Sequence, residues 1–188
     1  MSCDTPALRR VDIAPPETLP VSLAEAKAWM RLSLSEDDAL IAALIRTACD
    51  LCEAFTGLLL IARKVVETQP MRTGQWQRLA HGPVAAITAV EGLPAEGAPF
   101  ALPVAHYAID IDALGDGFVR VVQPGAAGRL RVTYQAGLGA DGNAVPESVR
   151  QGLLRLVAHL YAARDDARDV APPAAVAALW HPFRRMTL

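Results

Sequence analysis

The spacing of apolar and polar residues along the 188-residue chain changes period twice, from helical to alternating and back. Residues 21–60 carry the first helical stretch. Ser22 followed by Glu25 is a capping-box signature and opens a short helix through Ala24, Ala26, Trp29, Met30 and Leu32. Ser35 with Glu36, Asp37 and Asp38 then sets a cap and negative charge at a second helix N-terminus, where the backbone dipole favours anions. In that helix Leu40, Ile41, Leu44, Ile45, Ala48, Cys49, Cys52 and Phe55 recur at steps of three and four, and Gly57 is the expected stop.

Residues 61–140 read as a β-rich module, with alternating runs at Arg63 to Thr68, Ala86 to Val90 and Tyr107 to Ile111 separated by glycine and proline. The expected strand pair is Phe118 to Val122 with Leu130 to Tyr134, joined by Pro124 to Gly128. In its second strand Leu130, Val132 and Tyr134 share one face. The sheet is expected to be antiparallel. Helical spacing returns over residues 145–165, where Pro146 and Glu147 start a helix whose stripe is Val149, Leu153, Leu156, Val157 and Leu160. The fold class is therefore α+β: a helical core of two N-terminal helices and one late long helix, an inserted antiparallel β module, and extended arms at both ends.

Residues 1–20 hold four prolines and no sustained period, and read as an N-terminal arm lying on the surface or on a neighbour. Residues 166–188 form the other arm. The charged run Arg164 to Asp169 and the pair Pro172-Pro173 set off a segment that combines Leu179, Trp180, Pro182 and Phe183 with Arg184 and Arg185. Only 5% of the chain is aromatic although 52% is hydrophobic, so this cluster stands out. Tryptophan and arginine are the residues that dominate protein interfaces, which makes the tail a candidate grip on a partner. The competing reading is that it folds back on its own domain.

A net charge of −2 lacks the positive field on which sequence-independent DNA binding draws. The N-terminus has no basic start followed by an apolar core, and no run reaches the roughly 18 apolar residues of a membrane span, so a soluble protein without membrane contact is expected. Three cysteines, with Cys49 and Cys52 on the apolar face of the second helix, suit buried small residues in a reducing compartment. His81, His106, His159 and His181 have no metal-ligand spacing, and Asp110, Asp112 and Asp116 lack the glycine and closing glutamate of a helical calcium loop. Gly137-Leu138-Gly139-Ala140-Asp141-Gly142 matches a dinucleotide-binding pattern, but Asn143 to Pro146 separate it from the helix that would have to meet the pyrophosphate. No catalytic, cofactor or metal residues are assigned. A small nucleotide-binding enzyme using that loop, and a DNA-binding accessory protein, are the alternatives.

Several stretches resemble the head–tail connector (adaptor) family of tailed bacteriophages, including the adaptors of gene transfer agents. They are Pro20-Val21-Ser22-Leu23 with Glu25-Ala26-Lys27 and Met30-Arg31-Leu32, Glu36-Asp37-Asp38 with Leu40-Ile41, Glu53 with Thr56-Gly57, and the step from Tyr134-Gln135-Ala136-Gly137 to Val145-Pro146 and Val149. The resemblance implies a non-enzymatic ring, typically of twelve subunits, in the neck of a virion or phage-like particle assembled in the bacterial cytoplasm. It implies the portal protein above, a further neck or tail ring (stopper or tail terminator) below, and DNA passing through the lumen without specific binding. By that resemblance Leu179, Trp180, Pro182, Phe183, Arg184 and Arg185 contact the portal. The Gly92 to Pro103 loop and the Pro124 to Gly128 turn are the candidates for meeting the next ring.

Overall fold

The computed structural model describes residues 9–163 and 172–185. The expected charged run, the first eight residues and the start of the tail at 166–171 lie outside the described residues.

Local caps decide where the helices begin and end. Ser22 Oγ accepts from the Glu25 amide at 3.2 Å, and Glu25 Oε2 accepts from the Ser22 amide at 2.8 Å, so two backbone donors at the start of α1 (Leu23–Met30) are satisfied reciprocally. Arg31 closes the helix in the left-handed conformation, with φ 57°. Helix α2 (Asp38–Thr56) starts later than Ser35: Asp37 occupies the cap position without a side-chain cap bond, and Ser35 is spent on a turn through its carbonyl to Asp38 N. The carboxylate of Asp37 accepts instead from the Tyr161 hydroxyl, and Lys27 pairs with Asp38 at 2.6 Å. Gly57, with φ 72°, ends α2 as expected. Helix α3 is Glu147–Ala162, and a short α4, Ala174–Trp180, runs into a 3₁₀ turn at His181–Phe183.

The chain divides into two compact units. One comprises Pro16–Ala62 and Leu138–Leu188 and holds the four α-helices found among the described residues. Its core consists of Ile41, Ile45, Ala48, Cys49 and Cys52 from α2, Val149, Leu153, Leu156 and Val157 from α3, and Val176 and Trp180 from α4. The α2 and α3 members are the stripes that the three- and four-residue spacing marks, whereas Val176 and Trp180 come from the segment expected to be an arm. Each fully buried Val or Leu contributes about 1.5–3 kcal/mol, so packing rather than helix propensity holds these short helices in place. Arg150 ties α3 to the chain before α1, donating to the Pro20 carbonyl at 3.1 Å and pairing with Glu25.

The other unit takes in the described residues up to Pro15 and Arg63–Gly137, and is built from strands with one 3₁₀ turn at Val104–His106. One sheet has the order β1 (Arg10–Ile13), β2 (Arg63–Pro70), β8 (Arg129–Ala136), β4 (Val84–Leu93), β5 (Phe100–Ala101), and a second has the order β3 (Trp76–Arg78), β7 (Gly117–Val121), β6 (Tyr107–Ile111). Every pairing is antiparallel. Leu130, Val132 and Tyr134 do share one buried face, but the expected pairing of Phe118–Val122 with Leu130–Tyr134 does not form. Strand β8 is taken on both edges by β2 and β4, and β7 by β3 and β6, so the Pro124 to Gly128 connection carries the chain from one sheet to the other. The described part of the N-terminal arm also has a place: Arg10–Ile13 is the edge strand of its own sheet, paired with Thr68 to Val65. The Gly92 to Pro103 loop is shorter than expected, because Phe100 and Ala101 pair back on Gly92 and Glu91.

Strand β2 turns Val65, Glu67 and Gln69 inward together. Glu67 is fully buried: it pairs with Arg9 and accepts from Ala80 N at 2.9 Å and from the Tyr134 hydroxyl at 3.0 Å. Burial, followed by the Glu67 charge, drives the Tyr134 phenol well above its ordinary pKa, so it remains a donor.

Candidate functional site

The tail is built from α4 outward. Pro173 precedes α4 with extended backbone, and the helix lies against α3 with Val176 and Trp180 turned inward. Trp180 is fully buried, and its indole N–H donates to the Val149 carbonyl at 3.2 Å. The ring sits in a notch made by Gly152, where any Cβ would stand 2.2 Å from the indole nitrogen. Phe55 of α2 packs against the indole with ring centroids 6.0 Å apart and planes tilted by 54°.

Beyond Trp180 the chain wraps the end of α2. Leu179 and Phe183 are half-buried against the same core. The Arg184 guanidinium lies 5.7 Å from the centroid of Phe55, and the Arg185 amide donates to the Thr56 carbonyl at 2.8 Å. Thr56 in turn donates its hydroxyl to Cys52 O at 2.7 Å, so the last helical turn of α2 is satisfied from both sides. Pro182 and Arg184 are the exposed members of the cluster, and Arg185 is half-buried.

The six tail residues are thus brought together, but in two roles. The part from Ala174 to Arg185 folds back on its own helical unit rather than reaching away from it. Phe55, which helical spacing marks only as part of the α2 stripe, and Gly152, which the sequence reading did not single out, form the seat. A glycine inside the apolar stripe of a long helix was the available signal, since such a glycine weakens the helix unless something must approach it closely.

The other candidate chemistries resolve as structure. Asp112 Oδ1 accepts from Leu114 N at 2.9 Å and from Asp116 N at 2.8 Å, while Asp116 pairs with Arg78 at 2.6 Å, so these carboxylates organise a turn. Among the described residues no group of three His, Cys, Asp or Glu is placed to hold a metal ion. Cys52 is fully buried, and burial, then Cys49 and Glu53, raise its thiol pKa far above the ordinary range, which disfavours the reactive thiolate. In the Gly137 to Gly142 loop, a Cβ on Gly142 would meet the Pro20 carbonyl at 2.7 Å and one on Gly139 would meet Ala144 Cβ at 2.1 Å. Those two glycines serve close packing. The strand that leads into the loop is antiparallel to both neighbours, whereas a dinucleotide site needs a parallel pair. Among the described residues no helix is long and apolar enough to cross a membrane.

The sequence profile of the head completion protein family matches residues 21–170, most of both units. The chain belongs to that family. The chain is similar in structure to one in the virion of the native gene transfer agent (GTA) particle, at 25% identity and a TM-score of 0.77, covering 95% of this chain and 96% of that one. It also resembles a chain in the neck of the empty GTA particle computed with C6 symmetry, at 24% identity and a TM-score of 0.77, covering 95% and 97% of the two chains. A third likeness is to the neck of the native GTA particle computed with C12 symmetry, at 24% identity and a TM-score of 0.72, again covering 95% and 97%. No curated protein matches it significantly. The chain therefore shares its fold, over 95% of its length, with chains of GTA particles.

Proposed function

We propose that the protein is a structural head–tail adaptor whose copies form a ring of twelve under the portal of a phage or gene transfer agent particle, joining capsid to tail. The family match over residues 21–170, together with an end-to-end likeness to a chain of a GTA virion, is the observation that carries this reading. The role is mechanical rather than catalytic. DNA passes through the lumen without specific contact, consistent with a net charge of −2 on each copy. The next ring, a stopper or tail terminator, meets loops of the β unit. The protein acts in the neck of a particle assembled in the bacterial cytoplasm.

On this reading the tail is the portal contact, and its buried and exposed residues divide the work. Trp180, with Leu179 and Phe183 beside it, fixes the segment on the helical unit; Pro182 and Arg184 present the surface, and Arg185 secures its end. Negative-stain microscopy of the protein mixed with its portal tests the assignment. The intact chain is expected to dock as a ring, and a Pro182→Ala, Arg184→Glu double variant to dock poorly. Removing residues 172–188 would abolish docking too, but it also strips Trp180 from the core, so the double variant decides. If that variant docks like the intact chain, the tail is not the contact; if the intact chain docks only to a tail-side ring, the adaptor is not under the portal.

A further inference from the structure

We propose that the cleft between the end of β2 and β3 binds a carboxylate presented by an acidic segment of a partner protein. The cleft has a volume of about 390 Å³ and is lined by Arg9, Gln69, Arg72, Trp76, Gln77 and Arg78.

Its polar groups are unequally satisfied. Gln77 donates to the Pro70 carbonyl at 2.9 Å and accepts from Arg72 N at 3.2 Å, which fixes the turn that carries Arg72. Gln69 is only 5% exposed, yet its side-chain nitrogen is buried with no hydrogen-bond partner among the described residues, and the same holds for Arg78 Nε. Buried donors in native proteins are nearly always paired, so two of them lining one cleft point to an acceptor supplied from outside.

The charges say what kind of acceptor. Arg9 is paired with Glu67 and Arg78 with Asp116, whereas Arg72 is exposed and forms no ion pair among the described residues. A carboxylate has the lone pairs to take an amide N–H and a guanidinium together, in the short charge-assisted bonds that arginine favours. Trp76, 46% exposed and held by Arg120 4.8 Å from its ring centroid, offers an apolar wall for the methylenes that carry such a carboxylate. A nucleic-acid backbone would ask for a row of unmatched cations; among the described residues that line this cleft, Arg72 alone is one, on a chain of net charge −2.

The test is a titration of the ¹⁵N-labelled full chain with the blocked peptide acetyl-Ala-Leu-Glu-Ala-amide, its Gln-for-Glu twin, and a ten-residue oligothymidylate, followed on side-chain N–H resonances. The Glu peptide is expected to shift the Gln69 amide and the Arg72 and Arg78 Nε–H signals saturably. The Gln twin, and the Glu peptide on Arg72→Met, should bind at least about tenfold more weakly. Arg72 is exposed, so that variant should keep the thermal midpoint of the parent, and Trp76→Phe, also at an exposed site, gives a second variant with a smaller loss. Equal binding of the two peptides, no shift with the Glu peptide up to concentrations on the order of 10 mM, or oligothymidylate alone moving these signals would each overturn the proposal. Such a failure leaves the adaptor reading standing, because that reading is tested on Pro182 and Arg184 of the other unit.

Discussion

The indole of Trp180 rests on the bare Cα of Gly152, with room for no side chain between them. Glycine is used here for close approach, inside a helix where it is otherwise unfavourable. Gly152→Ala is therefore expected to expel the ring and free the tail, seen as faster proteolytic cleavage between residues 174 and 185 and a lowered thermal midpoint. Trp180→Ala should cost roughly 3–5 kcal/mol in chemical denaturation, the usual loss for truncating a large buried aromatic. A Gly152→Ala protein as resistant to protease as the parent would show that the seat can shift to accommodate a methyl group.

Arg9 should matter more than its exposure suggests. It is the ion-pair partner of a carboxylate with no access to water, and removing one member of such a pair leaves the other charge buried and uncompensated. Arg9→Met is expected to destabilise by about 3 kcal/mol, while the doubly substituted Arg9→Met, Glu67→Gln protein should recover a good part of that loss. Urea titrations of the four proteins in the cycle measure it, and additive losses would mean that Glu67 does not depend on Arg9.

The capping box of α1 gives an acid signature. The backbone and then the side chain of Ser22 lower the Glu25 pKa, aided by Arg150. A carboxylate whose pKa is lowered in the folded state adds stability that is present above its unfolded pKa and lost as pH falls through the folded value. Glu25→Gln is expected to be less stable than the parent at pH 7, with the gap closing below about pH 4. Ser22→Ala should cost roughly 1 kcal/mol at neutral pH. Thermal melts across pH 3–7 would show a constant gap if Glu25 contributed only through its shape.

The thiols of Cys49 and Cys52 should be inert while the protein is folded. Both are buried on α2, and Cys52 is held as the neutral thiol. In a Cys3→Ser background, a thiol reagent such as dithionitrobenzoate is expected to react on mixing only when denaturant is present. Reaction of either thiol within minutes in native buffer would show that the helical core opens far more readily than its packing implies.

What the sequence made legible was what short-range chemistry settles. Ser22, Glu25, Gly57 and Pro146 mark helix ends through bonds and backbone angles within a few residues, and the stripes on α2 and α3 follow from helical spacing alone. Even there Ser35 misled, because its neighbour Asp37 took the cap position. The strands were visible as alternating runs, but alternation says which side of a strand is buried and nothing of its neighbour, so Phe118–Val122 was paired with the wrong strand. The tail was recognised by composition, yet the burial of Trp180 depends on Gly152 and Phe55, which reach it only in three dimensions. Glu67 and Gln69 were hidden for the same reason: inward-facing polar residues look solvent-exposed until Arg9 and Tyr134, or a cleft, are seen beside them.

The seating of Trp180 also limits how a partner can use the tail. A protein that took this tryptophan into a pocket of its own would first have to empty the helical core, so it would bind only the small fraction of molecules already open. With roughly 3–5 kcal/mol set against opening, that fraction lowers apparent affinity between about a hundredfold and a few thousandfold. A ring of such subunits would ignore stray contacts with its tails in solution. It would commit only where many copies engage at once and their combined attachment outweighs the closed state.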